Sequence, residues 1–272
     1  MPLDPLRQRG YAETLRRLSS AQKAPAAGSP AYSRLVNRRL GRYLAALAYQ
    51  LRLTPNQVTA VSALFSLAGI VLVATVEPSW SMAIAVALAL ALGYALDSAD
   101  GQLARLRGGG SKSGEWLDHM VDCAKIVALH GAVLVSFYRF FDLLDSPTLL
   151  LIPLGFLLVE TVSFFGMTLN DQLKHAYYAS RGTRPPAVGR PSTVRSILVL
   201  PTDYGVLCLT FLLLGAEGAF VTGYTLLFVA NALFIVAASV KWFRDMSALD
   251  AASHRPDERD GPRAVGSHRT LG

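Results

Sequence analysis

The strongest constraint in this sequence is a series of six apolar runs, at roughly 57–76, 80–97, 120–141, 148–169, 196–215 and 220–241. Each is close to the ~20 residues needed to cross the hydrocarbon of a bilayer. No water is available there for unpaired backbone groups, so runs of this kind must be helices. The wider composition agrees: 52% of residues are hydrophobic and only 17% charged, with a mean hydropathy of +0.35. Those values exclude an ordinary soluble domain. The expected fold is an all-α integral membrane protein with six transmembrane helices, preceded by an amphipathic interfacial helix.

That interfacial helix is read from YSRLVNRRLGRYLAALAYQLRL, residues 32–53, where apolar and basic residues alternate at helical spacing. Residues 1–31 lack periodicity and read as a flexible polar tail, too polar for the core of a signal peptide. Thr54 and Pro55 look like a helix start, opening a six-helix membrane domain over 54–245. Residues 246–272 read as a disordered cytoplasmic tail.

Lys and Arg outnumber Asp and Glu by 26 to 19, and their positions argue for membrane orientation, with no nucleic-acid partner. They crowd the region before the first run, the connection holding Arg105, Arg107 and Lys112, the loop from Lys174 to Arg195, and the chain after Lys241. The intervening connections carry none, apart from Arg139 at an edge. This alternation places the chain as a multi-pass protein of the cytoplasmic (inner) membrane, with both termini on the cytoplasmic side. Cys123 and Cys208 lie in or beside apolar runs without metal-ligand spacing and read as packing residues.

Between the second and third runs lies DSADGQLARLRGGGSKSGEWLDHMVD, Asp97 to Asp122. The i, i+3, i+7 spacing of Asp97, Asp100 and Ala104 puts them on one helical face. The i, i+4, i+8 spacing of Gly114, Asp118 and Asp122 does the same on the next helix, and Gly108, Gly109 and Gly110 let the chain turn between them. Four carboxylates so close to hydrocarbon need a cation or must take up protons. Oxygen ligands without a nearby His or Cys pairing favour Mg²⁺, Mn²⁺ or Ca²⁺ over zinc. Such a set can hold two ions about 3.5–4 Å apart, an arrangement that serves phosphoryl transfer. Gly101 and Ala104 leave room for a base or sugar, and Arg105 offers a fork to a phosphate.

The pattern D-x2-D-G-x2-A-R-x8-G-x3-D-x3-D is met by Asp97, Asp100, Gly101, Ala104, Arg105, Gly114, Asp118 and Asp122. It resembles the signature of the CDP-alcohol phosphotransferase (phosphatidyltransferase) family, as does the helix layout over roughly residues 32–242. The resemblance implies that Asp97, Asp100, Asp118 and Asp122 ligate two Mg²⁺ or Mn²⁺ ions, with Asp122 also the catalytic base toward the acceptor hydroxyl. It implies a nucleotide site at Gly101, Ala104, Arg105 and Gly114. It further implies a CDP-linked donor, CDP-diacylglycerol foremost, a small polyol or polyol-phosphate acceptor, release of CMP, a homodimer in the lipid bilayer, and an active site on the cytoplasmic side. The signature leaves open the branch in which a CDP-amino alcohol donates to diacylglycerol.

Other residues have two readings each. Lys125 continues the Asp118 and Asp122 face, either to meet the diphosphate or to balance Asp122. Arg190 and Arg195 can bind a phosphate on the acceptor or simply form a solvated positive flank. Glu160 and Asp203 must face the bundle interior or water, with pairing to Lys125 or a serine the preferred reading over acceptor contact. His130 reads as a hydrogen-bonded interior residue. Prenyl transfer would call for a second aspartate-rich loop, and a cation transporter for a repeated site near mid-membrane. Neither pattern is present.

Overall fold

The computed structural model describes residues 10–20, 30–141, 147–184, 186 and 193–253, and among them all regular structure is helical. The expected start at Thr54 is a reciprocal cap: its hydroxyl accepts from the Gln57 amide at 3.2 Å, and the Gln57 side chain accepts from the Thr54 amide at 2.8 Å. From this cap runs α3 (Pro55–Thr75), after α1 (Tyr11–Ser20) and α2 (Arg38–Gln50). It is followed by α4 (Trp80–Leu106), α5 (Lys112–Phe140) and α6 (Leu151–Ser180), and the last described helix is α9 (Glu217–Ser253). Among the described residues five helices, α3, α4, α5, α6 with its leading turn, and α9, are long and apolar enough to cross a membrane.

Several expectations need correction. The run at 196–215 is not one helix. It comprises α7 (Thr193–Leu198), a 3₁₀ turn at Leu200–Thr202, α8 (Tyr204–Thr210) and a second 3₁₀ segment, Phe211–Gly215. Pro201 lacks an amide hydrogen for a helical ladder, and the Asp203 side chain accepts from the Gly205 amide at 3.0 Å, starting a new helix. Its apolar helical part, Tyr204–Gly215, is shorter than the other five. Part of the stretch read as a tail is also structured: α1 packs on α2 with Leu18 only 2% exposed. At the other end, α9 continues to Ser253.

The long helices outrun the hydropathy, because a helix ends where the backbone is told to turn rather than where apolar residues stop. α4 ends at Gly108 and Gly109, whose φ angles of 98° and 129° suit only glycine, and Ser111 caps α5 by accepting from the Gly114 amide at 3.0 Å. Both motif halves therefore ride on rigid helix ends. Close approach of α3 to α4 depends on Gly93, where a Cβ would stand 3.2 Å from the Ser62 carbonyl oxygen, and the Ser62 hydroxyl donates to the Gly93 carbonyl at 2.8 Å. Deeper in, Phe137, Phe156, Phe211, Phe220 and Tyr224 pack as one aromatic core among α5, α6, the broken segment and α9. His130 belongs to it as expected, 2.5 Å from the Tyr224 hydroxyl through Nδ1 and tilted on Phe156 at 4.3 Å.

The segment leading into α2 is anchored by a residue of the broken run. Asp203, 2% exposed, accepts from the Ser33 backbone amide at 2.7 Å and from the Tyr94 hydroxyl at 3.4 Å. Tyr32 and Tyr94 stack with centroids 6.5 Å apart. Asp203 therefore has the structural role read from the sequence, with partners other than the Lys125 and serine side chains named there.

Candidate active site

Helix ends α4 and α5 meet beside the start of α3, and three of the four motif carboxylates converge. Asp97, Asp118 and Asp122 each present an oxygen within 4.8 Å of the others. Asp100 lies outside that trio. It is 6% exposed and its Oδ2 accepts from the Thr59 hydroxyl at 2.5 Å. Lys125 sits among the trio, its ammonium 2.6 Å from Asp97 Oδ1, 3.1 Å from Asp122 Oδ1 and 3.3 Å from Ser62 Oγ. In this structure Lys125 pairs with Asp97 as well as with Asp122.

A divalent cation fits this donor set. The ligands are hard carboxylate oxygens from two rigid helices, and Asp118 Oδ1 is buried without a hydrogen-bond partner. A buried anionic oxygen in that condition is costly unless a cation meets it.

Two cavities flank the cluster. One, of about 720 Å³, is lined by Asp100, Gly101, Ala104, Arg105, Gly114 and Asp118, with the glycine turn and the Thr54–Thr59 end of α3. All four expected nucleotide residues thus share one wall. A Cβ at Gly101 would meet nothing closer than Arg105 Nη1 at 3.5 Å. The protein's own packing does not require glycine there, and the space above it opens to the cavity. At Gly114 a Cβ would lie 3.1 Å from both Asn56 Oδ1 and Ser111 Oγ, so this glycine is held by packing.

The second cavity, about 380 Å³, receives Asp97, Asp122 and Lys125 from the cluster, Glu160 and Ser163 from α6, and Asn231 and Trp242 from α9. Tyr94, Tyr204 and Ser66 complete much of its wall. Lys125 faces this side and is not among the residues lining the larger cavity. Arg190 and the Arg195 side chain lie outside the described residues.

The sequence reading missed α3. Thr59, Ser62 and Ser66 follow i, i+3, i+7 along it and touch Asp100, Lys125 and the smaller cavity in turn. A stripe of hydroxyls in an otherwise apolar span was the available signal.

Comparison with known proteins identifies the family. Residues 52–243 match the model of the family described as CDP-alcohol phosphatidyltransferase. The chain belongs to that family of membrane-embedded transferases of phosphate-containing groups, which act in phospholipid biosynthesis. A curated relative, phosphatidylinositol phosphate synthase of Corynebacterium glutamicum, is 37% identical over 91 residues, 33% of this chain and 39% of the relative. The match thus spans about two fifths of that protein's length. Two crystal structures of Mycobacterium tuberculosis phosphatidylinositol phosphate synthase also align, each over 74% of this chain with a TM-score of 0.46. One, with CDP-DAG bound, is 26% identical and covered over 90% of its length; the other, in complex with manganese and citrate, is 25% identical and covered over 87%.

Proposed function

We propose that this protein transfers a phosphatidyl group from CDP-diacylglycerol to a hydroxyl of a small polyol or polyol phosphate and releases CMP. The observation that carries the reading is the convergence of Asp97, Asp118 and Asp122 between two cavities, one for each substrate. The family membership supports the reaction class, and the name of the curated relative supports an inositol-type product.

The larger cavity takes the cytidine diphosphate, with Gly101, Ala104 and Gly114 keeping the wall low and Arg105 meeting phosphate. Asp97, Asp118 and Asp122 would hold one Mg²⁺ or Mn²⁺, and Asp100 would contribute to a second. When bound, the ions neutralise the diphosphate and stabilise charge on the transferred phosphoryl group. Asp122, which also faces the smaller cavity, accepts the acceptor's hydroxyl proton. The acceptor oxygen bonds to the phosphatidyl phosphorus as the bond from that phosphorus to the CMP oxygen breaks. CMP leaves with the electron pair. Lys125 holds Asp97 and Asp122 in place and moderates their mutual repulsion.

The finer topology belongs to the same reading. The broken run completes a six-pass domain over 54–245, and the segment 32–53 lies along the interface, with Leu40, Tyr43 and Leu47 exposed toward lipid. The distribution of Lys and Arg supports a cytoplasmic site and cytoplasmic chain ends in the inner membrane. The family resemblance supports a homodimer. Residues 1–31 and 246–272 are the polar flanks, apart from the helical portions described above.

The test is CMP release by purified protein in lipid with Mg²⁺ and CDP-diacylglycerol. Acceptor-dependent release that disappears with chelator is the expected result. Activity only with a CDP-amino alcohol and diacylglycerol would reverse the donor assignment.

A further inference from the structure

The smaller cavity carries two hydroxyls that the transfer chemistry leaves unused. Of the buried side-chain oxygens without a partner among the described residues, Ser66 Oγ and Tyr204 Oη are the two that line it. Other hydroxyls on the same wall are paired within the protein: Tyr94 donates to Asp203 Oδ1 at 3.4 Å, and Thr202 to the Val199 carbonyl at 2.8 Å. A serine inside a helix commonly returns its hydroxyl to the carbonyl one turn back. Ser66, 1% exposed in α3, does not. Gly93 faces it across the contact with α4, where a Cβ would collide with Ser66 Oγ, so the helix pair leaves this hydroxyl room.

Tyr204 is held as firmly. It opens α8 directly after the Asp203 cap, and its ring meets Tyr94 edge-on with centroids 5.1 Å apart. Buried polar groups in a folded protein are nearly always paired, and leaving one unmet is costly. Two unmet hydroxyls, fixed by different elements on a wall shared with Asp122, point to a ligand that supplies the missing partners. Each of them donates one hydrogen bond and accepts others, so each is matched by another hydroxyl. In the reading above the reacting hydroxyl of the acceptor belongs to Asp122. Ser66 and Tyr204 are then met by further hydroxyls, which a monohydric alcohol does not have. A polyol and its phosphate ester both carry them, so the contacts serve either form.

We propose that Tyr204 and Ser66 are acceptor-binding residues that read the non-reacting hydroxyls of a polyol, while Asp122 takes the proton of the reacting one. The assignment rests on the transferase reading above and deepens it by naming the side chains that select a polyhydroxylated acceptor.

The test uses full-length protein in lipid with CDP-diacylglycerol and Mg²⁺. CMP release is measured against concentration for inositol and glycerol and for the monophosphate of each, which also tells the free polyol from its ester. Whichever supports release is compared with analogues that each lack one non-reacting hydroxyl. Chelator-sensitive binding of CDP-diacylglycerol, and resistance to denaturant in detergent without acceptor, are measured alongside. The expected result is a kcat/KM about tenfold or more lower for at least one such analogue, because it leaves a hydroxyl of the site unpaired. Tyr204→Phe should raise KM for the acceptor about tenfold and shrink the penalty on that analogue, with donor binding retained. Ser66→Ala should act in the same direction, about threefold. Neither variant should lose resistance to denaturant, since no group of the protein depends on either hydroxyl. An unchanged acceptor KM removes that residue from the acceptor site, and a loss of stability reveals a structural partner; either result overturns the assignment and leaves the transferase reading standing. Equal kcat/KM for the acceptor and all its analogues does the same. Donor binding without CMP release for any of the four acceptors overturns the polyol assignment alone. Absence of chelator-sensitive donor binding in the wild type overturns both.

Discussion

The two cavities beside the aspartate cluster are built in different ways. The larger one is assembled from residues 54–59 and 100–118, close in sequence and held by two caps and one glycine turn. The smaller one draws on α3, α4, α5, α6, the broken run and α9, together with Pro30 ahead of α2. A site made from a helix pair and its turn is rigid and leaves a local pattern in the sequence. A site made where many helices cross can vary without disturbing that pattern. In the proposed reading the first kind is the donor pocket and the second the acceptor pocket, so the acceptor can change while the donor pattern is kept.

The largest expected effect falls on the proposed base, which lines the smaller cavity and belongs to the carboxylate cluster. Asp122→Asn should lower kcat by about 10²–10⁴-fold while binding of CDP-diacylglycerol falls far less, because the proposed base is removed from the side of the smaller cavity. Full activity at neutral pH in that variant would deny Asp122 the role of base. Asp97→Ala should abolish the Mg²⁺ dependence of donor binding, read by titration of the metal in the binding assay; an unchanged dependence counts against the carboxylate cluster as the metal site.

Substitutions confined to one pocket should then separate the substrates. Gly101→Val fills the larger cavity beside Arg105, so KM for the donor should rise by about ten- to a hundredfold with KM for the acceptor unmoved. An equal rise in both constants would mean that the cavities are not independent. Asp203→Ala leaves the Ser33 and Gly205 amides without their acceptor and should cost about 1–3 kcal/mol of stability, measured as resistance to denaturant in detergent. The smallest effect belongs to Thr54→Ala, about 1 kcal/mol for the lost cap, with both KM values preserved. A donor KM that moved in this last variant would show that the start of α3 positions nucleotide directly.

What was legible follows the same division. The spacing of Asp97, Asp100, Gly114, Asp118 and Asp122 placed them on two facing helix ends, and the structure puts three of them within reach of one ion. It could not tell that Asp100 turns toward Thr59, because Thr59 is 41 residues away on another helix. Hydropathy located five of the long helices but ran straight through Pro201 and Asp203, where a missing amide hydrogen and a competing cap break the sixth apolar run into short pieces. The helix at Tyr11–Ser20 escaped because its stability comes from burying Leu18 against α2, a contact that local periodicity does not record.

By itself the sequence determined the membrane-spanning helical character, the turn between the two motif helices and the chemistry of the carboxylate set. Those depend on solvent exclusion, backbone geometry and residue spacing within a single helix pair. Tertiary structure decided that Lys125 pairs with Asp97 as well as Asp122, that Asp203 anchors Ser33 across 170 residues, and that Glu160 shares a cavity with Asp122. Each of these depends on which helix faces lie opposite one another, and apolar helices of similar composition do not declare that until they pack.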